Sequence, residues 1–228
     1  MNLNSDFDQR VLVHSEQLEW QASPMAGVER RMLDRIGGEI ARATSIVRYA
    51  PGSHFSPHTH TGGEEFVVLE GVFQDEHGDY PVGTYVRNPP ESKHTPGSEP
   101  GCVIFVKLWQ FDLADRTPVV VDMNESTAVP DRNRSGRAVA LLHRDEREAV
   151  SMESWSPGAE LALDTTGGAE ILVLEGSFEE GGDTLVRHSW LRLPAGHRFR
   201  AKAGTSGARV WIKTGGLRCT DSPGHMTS

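Results

Sequence analysis

Thr61-Gly-Gly-Glu-Glu-Phe-Val-Val-Leu-Glu-Gly71 is written twice in this chain, the second time as Thr166-Gly-Gly-Ala-Glu-Ile-Leu-Val-Leu-Glu-Gly176, with eight of eleven positions identical. The offset of 105 residues holds without a gap as far as Tyr85-Val86-Arg87-Asn88-Pro89 against Trp190-Leu191-Arg192-Leu193-Pro194. Upstream, Ala50-Pro51-Gly52 answers Ser156-Pro157-Gly158 once one residue is deleted from the second copy. The chain is therefore a tandem duplication of a unit of roughly 100 residues, the size of an ordinary domain. Each copy repeats the same order: a Pro-Gly turn, an alternating apolar run, a Gly-Gly turn, a short apolar run (Phe66 to Leu69, or Ile171 to Leu174), then another glycine. Short runs of β-branched and aromatic residues punctuated this often predict antiparallel strands that close into small barrels or jelly rolls, an all-β class.

Outward from the repeat, the polar stretch between Asp112 and Arg137, with Pro130-Asp-Arg-Asn-Arg-Ser-Gly136 at its end, reads as a linker. The expected domains are residues 1–125 and 126–228. Helix is expected only near the N-terminus, around Gly27 to Leu33. The 24 glycines and 13 prolines are spread between apolar runs, as many short strands and turns require. A net charge of −9, from 32 acidic and 23 basic residues, offers no positive field for nucleic acid or for an anionic membrane surface. No apolar stretch approaches the roughly 18 residues of a spanning helix, and Met1 to Arg10 lacks a signal-peptide core, so a cytoplasmic protein is expected. Cys102 and Cys219 lie far apart with no C-x-x-C spacing. They read as free thiols, Cys102 as a small buried hydrophobe within Cys102-Val-Ile-Phe-Val106.

The chemistry concentrates in the first copy, in Gly52-Ser-His-Phe-Ser-Pro-His58-Thr-His60-Thr-Gly-Gly-Glu64-Glu65. Residues i and i+2 of a strand share a face, so His58 and His60 can aim two imidazoles at one point. The Gly62-Gly63 turn then returns the chain to offer Glu64, and His94 can close the set from a neighbouring strand. Imidazoles with one carboxylate suit Zn, Fe(II), Mn, Ni or Cu rather than Ca or Mg. Other histidines (His14, His77, His143, His188, His225) read as surface or satisfied core residues, and His54 lies outside the motif. Glu65 is shared with Glu170 of the second copy, which marks it as structural. Tyr85 and Arg87 alternate as strand residues do and either could face a small ligand, as could Lys107; Phe66 and Trp109 read as core.

At these residues the chain resembles a known family. Gly52-x5-His58-x-His60-x3-Glu64-x6-Gly71 matches the first cupin motif at every fixed position, and Pro81-x-Gly83 followed by His94 matches the second with a longer spacer. The spacer ending in His94-Thr95-Pro96 resembles the ChrR-type cupin domain, the C-terminal part of a zinc-binding anti-sigma factor. The resemblance implies two tandem cupin barrels and one divalent metal on His58, His60, Glu64 and His94, with Zn first and Fe(II), Mn or Ni as alternatives. The sequence contains no His-x3-Cys-x2-Cys element of the kind that grips a sigma factor in that family, which argues against a sigma-factor partner.

At the 105-residue offset the second copy places Leu163, Thr165, Ala169 and Phe199 at the four ligand positions, with His197 two residues from the last, so it is expected to be metal-free. The resemblance leaves two functions open. One is a regulatory or sensory metal-binding bicupin that responds to oxidative stress. The other is an Fe-dependent dioxygenase-like enzyme acting on a small diketone or aryl ketone. A metal that only stabilises the first barrel is the third reading. A small-molecule ligand and a homodimer are the partners considered.

Overall fold

The computed structural model describes residues 1–38 and 40–217; Cys219 and His225 lie outside them. The regular secondary structure of the described residues is all strand, apart from one 3-10 turn at Ser15–Gln17. Contacts divide them into two units: residues 1–5 and 18–124, and residues 6–17 and 125–217.

In the first unit the main antiparallel sheet runs Asn2–Leu3, Val28–Gly37, Ala41–Tyr49, Cys102–Leu108, Glu64–Asp75, Thr84–Asn88, Val119–Asp122. The second unit repeats that order as Arg137–Arg144, Glu148–Trp155, Ala201–Gly215, Ala169–Glu180, Ser189–Leu193 and Val11–His14. The last strand of each sheet comes from outside the repeated unit. Val119–Asp122, after the first copy, pairs with Thr84–Arg87, and Val11–His14, before it, pairs with Ser189–Arg192. Further contacts tie the N-terminal segment into the second unit: His14 Nδ1 lies 2.9 Å from Ser189 Oγ, Ser15 Oγ donates to His188 O at 2.7 Å, and Arg192 covers Phe7.

Two expectations are corrected. Residues 27–33 are not helical: Val28–Gly37 is a strand paired along its length with Ala41–Tyr49. Arg30, Arg31, Met32 and Leu33 are good helix formers, but a few tenths of a kcal/mol of propensity per residue yields to cross-strand packing, here with Arg31 and Arg48 stacked on Trp20. Nor is the segment 112–137 a bare linker, because Val119–Asp122 and Val129–Pro130 are both strands.

Period-two alternation sorts the residues by face. In Glu64–Asp75, Phe66, Val68 and Phe73 join Val86, Cys102, Ile104 and Val106 in one buried cluster. Glu64, two residues before Phe66, shares their face, and Glu65 takes the other. On that opposite face Arg87, Glu65 and Lys107 stand abreast on three neighbouring strands, all buried. Arg192, Glu170 and Lys213 repeat the arrangement in the second unit. Alternating charges in register offset the cost of burying them, which a single unmatched charge could not do.

Candidate metal centre

Among the described residues His58–His60 pairs with Ser92–His94 alone, forming a two-stranded ribbon separate from the main sheet. His94 lies directly opposite His58, and His58 and His60 are two apart, so all three imidazoles occupy one face of the ribbon. Their ring centroids are 4.7 to 5.1 Å apart. Glu64 enters from the first position of the strand Glu64–Asp75, and the turn that brings it there depends on two glycines. A Cβ on Gly62 would collide with the Trp109 indole, and Gly63 has φ +75° with the Phe111 ring against it. Trp109, expected in the core, is half-buried and packs over this turn between ligand positions.

His60 Nε2 and His94 Nε2 are 2.9 Å apart, and Glu64 Oε2 is 3.4 Å from the first and 3.6 Å from the second. Donors about 2.0–2.1 Å from a common tetrahedral ion stand about 3.4 Å from one another, so these atoms surround a space of the right size. His58, His60 and His94 form a candidate three-histidine metal site, with Glu64 beside it. His60, His94 and Glu64 are buried, while His58 is exposed. The donor set, borderline nitrogen with one carboxylate oxygen, fits a first-row divalent ion.

The surroundings set the protonation of these groups. Burial lowers the His60 pKa, against the Glu64 charge, with His94 and His58 adding to the lowering. His94 is also disfavoured as a cation by burial, but its hydrogen bond to Asp75 and the charges of Glu64 and Asp75 outweigh this and raise its pKa. Burial and the nearby Glu64 charge raise the Tyr49 pKa, keeping the phenol protonated. Beneath the site Phe73 lies 5.8 Å from the His94 ring and 5.8 Å from Tyr49.

Three neighbours escaped the sequence reading: Asp75, Tyr49 and Asn88. Asp75 Oδ2 is 3.2 Å from His94 Nδ1, and Asn88 Nδ2 donates to Glu64 Oε2 at 3.2 Å. A signal for Asn88 existed: like His58, Glu64 and His94 it is polar where the second copy is apolar, at Leu193. Asp75 gave none, since Glu180 also carries a carboxylate.

The remaining candidates lie elsewhere. Glu65 turns away from the ligands and accepts a hydrogen bond from Tyr85 Oη at 2.6 Å. Arg87 pairs with Asp115 at 2.9 Å and stacks on Phe111, and Lys107 Nζ donates to Thr44. None of Tyr85, Arg87 and Lys107 shares the face of Glu64, and Phe66 belongs to the core. His54 pairs with Glu99 at the surface. In the second unit Leu163 and Phe199 pack with the apolar cluster, where Phe199 lies 6.4 Å from Phe178, and Ala169 is fully buried. Thr165 hydrogen-bonds the His197 carbonyl. His143, Asp145 and Glu148 also gather, but Glu148 is paired with Lys213 at 3.1 Å, a cation already in place.

The duplicated strand order is that of the cupin fold, and the histidine cluster falls in the part of the chain that matches a cupin family model. Residues 8–112 match the family described as the ChrR cupin-like domain. Among solved structures, the chain is similar to a protein of Nostoc punctiforme described as a "putative dioxygenase" (TM-score 0.75, 13% identity, 94% of this chain and 86% of that one). It is also similar to YlbA of Escherichia coli (TM-score 0.68, 14% identity, 94% of each chain). A third is the pirin YhhW of E. coli in complex with nickel(II) (TM-score 0.64, 11% identity, 91% of this chain and 99% of that one). At these identities the likeness is one of fold. No curated protein sequence matches the chain. Among the described residues no helix is long and apolar enough to cross a membrane.

Proposed function

We propose that the first unit holds one divalent metal ion, zinc, through His58, His60, His94 and Glu64, and that the protein works as a metal-dependent binding or regulatory cupin. The observation that carries this reading is the convergence of two buried imidazole nitrogens and a buried carboxylate oxygen within 3.6 Å of one another, with a third imidazole on the same ribbon face. Glu64 is a buried acid with no lysine or arginine paired to it among the described residues, and burial lowers the pKa of His60, the nearer of its two imidazole neighbours. When bound, the ion supplies Lewis acidity and ties the ribbon to the main sheet. The protein's own groups do the rest: Asn88 orients Glu64, Phe73 walls the site from below, and the Tyr49 hydroxyl stays protonated near Glu64. The ChrR likeness of residues 8–112 supports a regulatory role, in which loss or oxidation of a ligand would free the ribbon.

A second reading has one observation in its favour. His58 is exposed, so the site opens to solvent on that side, where a small oxygenated substrate could approach. In that case the protein is an iron-dependent dioxygenase-like enzyme for a diketone or aryl ketone. Elemental analysis of protein purified without added metal, followed by cobalt substitution, separates the two. One zinc per chain and an intense four-coordinate cobalt spectrum support the binding module. One iron with exchangeable water, and oxygen uptake with a diketone, support the enzyme. A chain that binds no metal overturns both.

A further inference from the structure

The three histidines sit on a ribbon whose strands make no ladder with the main sheet, so something other than sheet pairing must hold that ribbon over Glu64. The strand that begins at Glu64 ends at Asp75, and its last residue and the next one reach the ribbon together. Asp75 Oδ2 lies 3.2 Å from His94 Nδ1, and Glu76 accepts the Thr95 backbone N–H at 2.7 Å. Asp75 is itself fixed. Its other oxygen accepts the His77 backbone N–H at 2.8 Å and the Tyr80 hydroxyl at 3.1 Å. The His94 and Asp75 side chains are 4% and 5% exposed, so water does not compete for this bond.

We propose that Asp75 is a positioning residue of the metal centre, holding His94 with Nδ1 protonated so that the Nε2 lone pair faces the other ligands, and tying the ligand ribbon to the main sheet. The proposal rests on reading His58, His60, His94 and Glu64 as a metal centre. A neutral imidazole carries one proton on two nitrogens, and a fixed carboxylate beside Nδ1 decides which. A carboxylate behind a ligating imidazole also makes it a stronger donor and restricts ring rotation. The second unit supplies a contrast. Glu180, at the same offset, lies 3.3 Å from His197, but it is also held by Arg10 at 2.8 Å, so a guanidinium already matches its charge. Asp75 bonds instead to the His94 ring, the His77 backbone N–H and the Tyr80 hydroxyl. Its Oδ2 is directed to an imidazole whose other nitrogen faces the remaining ligand candidates.

The test is zinc affinity of the full chain by chelator competition, for wild type, Asp75→Ala and Asp75→Asn. Outer carboxylates of this kind are worth about 10–100-fold in metal affinity, and that is the expected loss for Asp75→Ala. Asp75→Asn keeps an acceptor for Nδ1–H but not the charge, and is expected to recover part of the loss and to shift the cobalt spectrum. Hydrogen exchange of residues 92–95 should speed up in Asp75→Ala while second-unit peptides stay unchanged, which shows that the fold is retained. The proposal is overturned if Asp75→Ala binds zinc within about twofold of wild type, or if Asp75→Asn is as weak as Asp75→Ala with an unshifted spectrum. If wild type binds no zinc, the metal-centre reading fails and this proposal with it, an outcome distinct from wild-type binding that Asp75 does not influence.

Discussion

Replacing His60 by alanine separates the metal centre from an ordinary buried polar cluster. In the metal-free protein His60 is neutral near pH 7, because burial lowers its pKa, and its one side-chain hydrogen bond is to His94 at 2.9 Å. Losing that bond costs about 1 kcal/mol. A change of this size moves the melting temperature of a chain this long by only about 2–4 °C. The metal-bound protein is expected to respond far more strongly. Structural zinc sites contribute about 10–16 kcal/mol of binding free energy, so one of four ligands carries about 3–4 kcal/mol, or a loss of affinity of about 10²–10³-fold. Chelator competition measures the affinity, and melting with and without zinc measures the two stabilities. Thr165→Ala, at the same position of the second unit, is the control and should leave one metal per chain. Equal zinc affinity in wild type and His60→Ala would refute the ligand set. Two metals per chain would refute the view that the second unit's apolar filling leaves no site there.

Gly62→Ala drives a methyl group into the Trp109 indole, so it should destabilise the first unit by about 1–3 kcal/mol and weaken zinc binding as the His60–Glu64 turn shifts; unchanged melting would show that Trp109 moves freely. Zinc affinity should keep climbing with pH above 6.5, because the raised His94 pKa keeps a competing proton on the ring there, and a plateau below pH 6.5 would contradict it. In the metal-free protein the two histidines pull in opposite directions. His94 contributes stability that is present below 6.5 and lost as pH rises through its raised pKa; His60 contributes stability that is present above 6.5 and lost as pH falls through its lowered one. The Cys102 thiol, pushed up to about 11 by burial, should alkylate at pH 8 about 100-fold more slowly than a thiol at the ordinary 9.0, as peptide mapping can show.

The histidine spacing and the repeat were legible because they are local. His58 and His60 share a strand face wherever the strand lies, and the 105-residue offset makes each copy a check on the other, so His58, Glu64 and His94 stand out against Leu163, Ala169 and Phe199; the same comparison of Asn88 with Leu193 went unread. The placement of Glu65 on the opposite face also follows from alternation once Glu64 points inward. Helix formers at 30–33 misled, because propensity is weak beside ten residues of strand pairing.

What the sequence determined by itself, then, is the β class, the duplication and the residue types that could meet, since each depends on neighbours a few positions apart or on a repeat that can be counted. Tertiary structure alone decided which residues complete them. Asp75 meets His94 across 19 positions, Val11–His14 joins a sheet some 180 residues away, and Gly62 matters because Trp109 lies over it. Such encounters depend on strand register and on which strand lies beside which, and no local pattern carries that information.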